Sequence, residues 1–153
     1  MEPIELNKRP DIEINSTLNR RYQQFEKLLS EIFKHEIPDE ITGLINEYVQ
    51  NINSIVDSEN ELRKSLRKSQ SKILKLIEKE LNLVTKNHYR NAWLAIGLSI
   101  GIAIGSAIGT KIGGMSLLGI GMTVGMALGI VWGNSMDKKA KESGLQLDIE
   151  IRH

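Results

Sequence analysis

The chain has 153 residues, a formal net charge of +1 and no cysteine. That length allows one modest domain, the near-zero charge singles out no partner class, and the lack of thiols excludes disulfides and thiol chemistry. The mean hydropathy of -0.22 averages a very polar majority with one long apolar stretch, Ala92 to Trp132, where Lys111 is the single ionisable residue.

Residues 1–15 read as an extended segment. Ile4 and Leu6, then Ile12 and Ile14, alternate with polar neighbours, and Pro3 and Pro10 disfavour a helix. A short strand of this kind needs something to pair with. The first ten residues lack an apolar core, so no signal peptide is expected.

Residues 16–91 read as a cytoplasmic helical domain. Ser16 is a good N-cap for a helix reaching about Glu36, with Leu18, Tyr22, Phe25, Leu29 and Ile32 on one face and Leu28 and Phe33 widening it. Pro38 ends this helix and opens a second, which reaches Val56 and has Asp39 and Glu40 at its positive end. Ile41, Leu44, Ile45, Tyr48, Ile52, Ile55 and Val56 form its apolar face. The short connection predicts that the first two helices pair antiparallel. A third helix starts after Asp57 or Ser58 and buries Leu62, Leu66, Ile73, Leu76, Ile77, Leu81 and Val84. No glycine or proline interrupts it before the apolar stretch, so it is expected to run on as a coiled-coil stalk.

Opposite that stripe lie Lys64, Lys68, Lys72, Lys75 and Lys79, with Arg63 and Arg67 beside them and Glu78 the one acidic residue among them. This row is a candidate anion- or partner-binding face, set against the plain alternative of a solvated helix surface. On a stalk perpendicular to a bilayer, Lys64 would stand ~40 Å from the span at ~1.5 Å per residue. That distance favours a soluble anionic ligand or a cytoplasmic protein over lipid, with nucleic acid the less favoured polyanion.

The apolar stretch is long enough for two spans, since ~20 apolar residues cross ~30 Å of hydrocarbon. The predicted hairpin occupies 92–133: Ala92–Gly109, a turn around Thr110–Met115, then Ser116–Gly133. Glycine recurs every fourth residue, at Gly97, Gly101, Gly105, Gly109 and Gly113, then at Gly121, Gly125, Gly129 and Gly133. That spacing makes a ridge without side chains, against which another backbone packs closely in lipid. Ala95, Ser99, Ala103 and Ala107 form a second small row about 200° around the helix, repeated by Gly119, Thr123 and Ala127. One row serves the hairpin partner and the other is left for a further copy of the chain. Packing within a single hairpin is the simpler reading. Between the rows runs Ile96, Ile100, Ile104, Ile108 and Ile112.

Lys86, Arg90, Lys138, Lys139 and Lys141 flank the open end of the hairpin and Trp93 and Trp132 sit near it. Positive charge and interfacial tryptophans predict that both termini lie on the cytoplasmic side of the membrane. Residues 134–153 are expected to form a short charged helix to Ser143, a stop at Gly144 and a strand from Leu145 to Ile151. Asp148–Ile151 repeats the Asp-Ile-Glu-Ile of Asp11–Ile14, so the two terminal strands are candidates to pair. The expected fold is therefore an all-α membrane protein with short β segments at its two ends.

The two glycine series, followed by Asp137-Lys138-Lys139, resemble the glycine-zipper two-transmembrane hairpins of many small bacterial proteins. The resemblance covers about a third of the chain. It implies close-packed membrane helices and, in some relatives, oligomeric pores.

No catalytic constellation is visible. His35, His88 and His153 have no metal-site spacing, the glycines do not form a phosphate loop, and no serine sits in a nucleophile elbow. Neither enzyme activity, a cofactor nor a metal is expected. The leading expectation is a homo-oligomeric effector that perturbs or perforates the membrane, of the toxin or antiviral-defence type. The rival is an inert hairpin anchoring a helical adaptor for a cytoplasmic protein or nucleic acid.

Overall fold

The computed structural model describes residues 1–10, 12, 16–56, 58–112 and 116–151. Five helices occur among them: α1 (Thr17–Ile32), α2 (Asp39–Asn53), α3 (Glu59–Leu81), α4 (His88–Ile112) and α5 (Ser116–Glu142). The chain divides into two compact units, Met1–Val84 with Leu147–His153, and Thr85–Gln146.

In the first unit α3 packs against both α1 and α2. The expected close pair of α1 with α2 is not found; α3 mediates between them because its stripe buries Leu62, Leu66, Ile73 and Ile77 completely. Phe25, Leu28 and Ile32 of α1 and Ile45, Val49 and Ile52 of α2 complete that core. The α2 face is turned slightly from its expected position: Val49 and Asn46 are buried, while Leu44 and Val56 are exposed. Ser16 caps α1 by accepting the Asn19 N–H at 3.0 Å, and Ser58 caps α3 by accepting the Glu61 N–H at 3.2 Å.

The expected continuous stalk is interrupted. α3 closes at Leu81, where Asn82 takes a left-handed conformation (φ 55°) and Leu83 donates its N–H to the Ile77 carbonyl at 3.1 Å. Asn87 is left-handed too (φ 59°), immediately before α4. Asparagine is among the few residues besides glycine that enter that region readily, so these two positions stop a helix without glycine or proline.

The terminal β segments are also corrected, since no strand occurs among the described residues. The alternation is real, but it is satisfied differently. Residues 1–10 lie along α2 as an extended arm. The Asn46 side-chain amide accepts the Ile4 N–H at 2.8 Å and donates to the Glu2 carbonyl at 2.9 Å. Two turns on, Asn53 accepts the Asn7 N–H at 2.9 Å and donates to the Glu5 carbonyl at 3.0 Å. Arg9 then donates to the Ile55 and Val56 carbonyls past the end of α2. The C-terminal segment buries alternate residues, Leu147 and Ile149, and its Leu147 N–H donates to the Val84 carbonyl at 2.8 Å. Two further contacts come from α1: the Glu31 carboxylate accepts the Asp148 N–H, and the Gln24 amide donates to the Glu150 carbonyl, each at 3.3 Å. The suggested pairing of Asp11–Ile14 with this tail lies outside the described residues except at Ile12, which is buried.

In the second unit α4 and α5 lie against each other along their length. The expected charged helix after the second span is the end of α5 itself. Gly144 (φ 71°) closes it, with the Gly144 N–H on the Lys141 carbonyl at 3.1 Å and the Leu145 N–H on the Ala140 carbonyl at 2.9 Å, the paired bonds of a Schellman stop.

Candidate functional site

His88–Thr110 and Leu117–Glu142 are each long and apolar enough to cross a membrane. The core helix of a soluble protein passes the same test of length and composition but is mostly buried, whereas only 11% and 17% of these apolar windows are covered. Ile96, Ile100, Ile104 and Ile108 on α4, and Ile120, Val124, Leu128 and Val131 on α5, are all exposed.

The glycine rows face each other. A Cβ built on Gly97 would strike the Gly125 carbonyl, one on Gly101 the Gly121 carbonyl, and one on Gly129 the Trp93 carbonyl. On Gly105 it would lie 2.7 Å from the Leu117 carbonyl oxygen, and on Gly133 it would collide with the Arg90 backbone. Side chains are therefore excluded from this seam by backbone, which cannot yield as a rotamer can. Gly109 is half-buried, and Gly113 lies outside the described residues.

The second row is on the outside. Ala95, Ser99, Ala103, Ala107, Gly119, Thr123 and Ala127 are exposed, and a Cβ on Gly119 would meet nothing. The row's hydroxyls are turned inward to their own helices: Ser99 donates to the Ala95 carbonyl at 2.8 Å and Thr123 to the Gly119 carbonyl at 2.9 Å. What remains outward is a shallow, almost apolar strip.

The open end of the hairpin is clasped by groups that no sequence period marks. The buried Asp137 carboxylate on α5 accepts the Tyr89 N–H at 3.1 Å and the Arg90 N–H at 3.0 Å. It thus caps the first turn of α4 from another helix, where a carboxylate also suits the positive helix end. Trp93 and Trp132 stack with centroids 6.2 Å apart, and the Trp93 indole N–H donates to the Met136 sulfur at 2.9 Å. The one sequence signal for the clasp is an acidic residue beside the basic Lys138, Lys139 and Lys141.

On α3 the seven basic residues Arg63, Lys64, Arg67, Lys68, Lys72, Lys75 and Lys79 are all exposed. Lys79 pairs with Glu80 at 2.8 Å, and that hydrogen bond and charge raise its pKa. A cavity of about 230 Å³ opens between α2 and α3 beside Lys68 and Lys72. Among the described residues, no cluster of three or more histidine, aspartate or glutamate side chains is placed to hold a metal ion.

Comparison with protein-family models, characterised proteins and solved structures found no match. The functional reading therefore rests on geometry and chemistry.

Proposed function

We propose that this chain is a self-associating, two-span bacterial inner-membrane effector of the glycine-zipper type. Its hairpins assemble side by side and make the membrane leaky, under the control of the cytoplasmic helical unit. The observation that carries this reading is the division of labour between the two small-residue rows. The glycine seam is consumed within one hairpin, and the Ala95–Ala107 and Gly119–Ala127 rows are left exposed. In lipid, close approach between small residues is the main attraction open to such a strip. Because the Ser99 and Thr123 hydroxyls bond their own helices, leakage would be a wetting-gated defect with little charge selectivity. A toxin or antiviral-defence setting is an analogy with two-span effectors and is not drawn from the geometry.

The test is expression in bacteria with a membrane-potential dye, alongside mass determination of the purified protein in uncharged detergent. The proposal expects depolarisation and a multi-copy particle. Replacing the outer-row residues Ala95, Ala103 and Ala107 by leucine should abolish both while leaving the hairpin folded. A one-copy particle and an unchanged potential at every expression level would point to the rival reading, an inert anchor for the helical unit with its exposed basic row.

A further inference from the structure

We propose that the cleft between α2 and α3 binds a small ligand through a phosphate group. The inference stands on the helical unit alone and does not depend on the membrane reading.

The cleft's lining is rich in donors. Lys68 and Lys72 stand one helical turn apart at its lip, and neither is paired with a carboxylate among the described residues. Lys72 is held over the Tyr48 ring, with Nζ 5.4 Å from the centroid, which steadies an ammonium that would otherwise sweep through solvent. Ser69 lines the cavity floor. It is only 4% exposed, and its hydroxyl has no hydrogen-bond partner among the described residues. No buried side-chain oxygen or nitrogen lacks a hydrogen-bond partner among the described residues, so this hydroxyl is reachable from the cavity and is free to donate or accept there. Ser65 donates to the Asn51 Oδ1 at 2.9 Å, which occupies that oxygen and leaves the amide N–H groups to donate. Two ammoniums, a hydroxyl reachable from the cavity and an amide suit a group that only accepts hydrogen bonds and carries negative charge; phosphate is both.

Size and surroundings narrow the ligand. The cavity holds about 230 Å³, room for roughly eight waters at ~30 Å³ each, which fits a phosphate with a small substituent. Glu47 at the rim supplies an acceptor, which suits a hydroxyl on that substituent. Single-stranded nucleic acid is the poorer fit. Its binding sites track the backbone with a series of stacking aromatics, whereas α3 carries no aromatic residue and Tyr48 is already covered by Lys72. Lys64, Lys75 and the two arginines outside the cleft add attraction at a distance, without selectivity. The phosphate can belong to a soluble phosphomonoester or to a lipid headgroup; the chemistry at the site is the same.

The full chain in uncharged detergent, titrated calorimetrically with inorganic pyrophosphate, tests the soluble source. Its melting in phosphatidylcholine nanodiscs with and without phosphatidic acid tests the lipid source. Lys68→Gln with Lys72→Gln should weaken binding at least about tenfold, as expected for losing charge-assisted hydrogen bonds. The charge-matched pair Lys64→Gln with Lys75→Gln should leave it within about twofold. Ser69→Val, which fills the floor without altering charge, should weaken binding comparably to the first pair. Binding in either arm that follows this pattern supports the site and identifies the source. Equal losses in the two lysine pairs, no effect of Ser69→Val, or binding only to a single-stranded oligonucleotide overturns it, as does no binding in either arm.

Discussion

Asn46 and Asn53 hold the N-terminal arm as a neighbouring strand would, and their spacing explains why. Seven helical residues rise ~10.5 Å, and three extended residues advance ~10 Å, so two amides on α2 meet two peptide groups on the arm in register. Asn46 is buried at this junction. Asn46→Ala should therefore cost ~1–3 kcal/mol, because it leaves the Ile4 N–H and the Glu2 carbonyl unsatisfied, while Asn53→Ala, whose bonds are exposed, should cost less. Far-UV circular dichroism on heating, with amide exchange at Ile4, measures both. Glu31 does the equivalent work for the C-terminal tail. Its hydrogen bond from Lys34 at 2.6 Å is the largest influence on its pKa and, helped by the Lys34 charge and the Asp148 N–H, lowers it against the opposing effect of burial. The unfolded chain then binds the proton more readily than the folded one, so stability from Glu31 is complete above the ordinary carboxylate pKa of ~4.3 and is lost as pH falls through the lowered value. Glu31→Gln should flatten that acid limb, and faster exchange of the Asp148 amide at acid pH should disappear as a separate step.

The helices show what a sequence makes legible and what it does not. The stripes of α1 and α3 are readable directly because a helix buried on one side repeats its apolar residues every three or four positions, and Leu18, Phe25, Ile32, Leu62, Leu66, Ile73 and Ile77 do so and are buried. The terminal segments mislead because alternation reports only which side chains are buried; it does not say whether the backbone partner is a strand or, as for the arm, a pair of asparagine amides. The stop after α3 is hidden because Asn82 and Asn87 break a helix through their left-handed backbone, a quieter signal than proline or glycine. Of the candidate site, the glycine positions are readable as a four-residue period, but the clasp is not: Asp137 meets the start of α4 across 47 and 48 residues of chain. Without that carboxylate the Tyr89 and Arg90 N–H groups lose their partner at the first turn. Asp137→Ala should cost ~0.5–2 kcal/mol in the hairpin, the range for a lost N-cap, with Asp137→Asn recovering part of it. The readout is the Trp93–Trp132 stack, whose tryptophan fluorescence should shift at a lower temperature in the alanine variant than in the asparagine variant. At the seam itself, Gly101→Leu or Gly125→Leu should separate α4 from α5, since each side chain would have to pass through opposing backbone.

Two compact units on one chain need not share one fate on heating. The chain passes from the helical unit into the hairpin after Val84 and returns at Leu147, and the Leu147 N–H bonds the Val84 carbonyl at 2.8 Å, so departure and return are tied together inside the helical unit. Leu147 is fully buried there, and its tail is the part of the core that arrives only after the hairpin has been traversed. Both tryptophans, Trp93 and Trp132, belong to the hairpin unit, so fluorescence reports that unit alone while far-UV circular dichroism reports every helix. Leu147→Ala removes core volume at a fully buried position and should destabilise the helical unit by ~2–5 kcal/mol. For a unit of this size that lowers its melting by about 10 °C or more. The dichroism of the variant should then show an earlier first transition, with the tryptophan transition unmoved. If fluorescence and dichroism shift together by the same amount, the units unfold as one and the tail is holding the hairpin as well as the helices. If they part as expected, the hairpin is a self-sufficient element of the chain, which leaves the helical unit after Val84 and returns to it at Leu147.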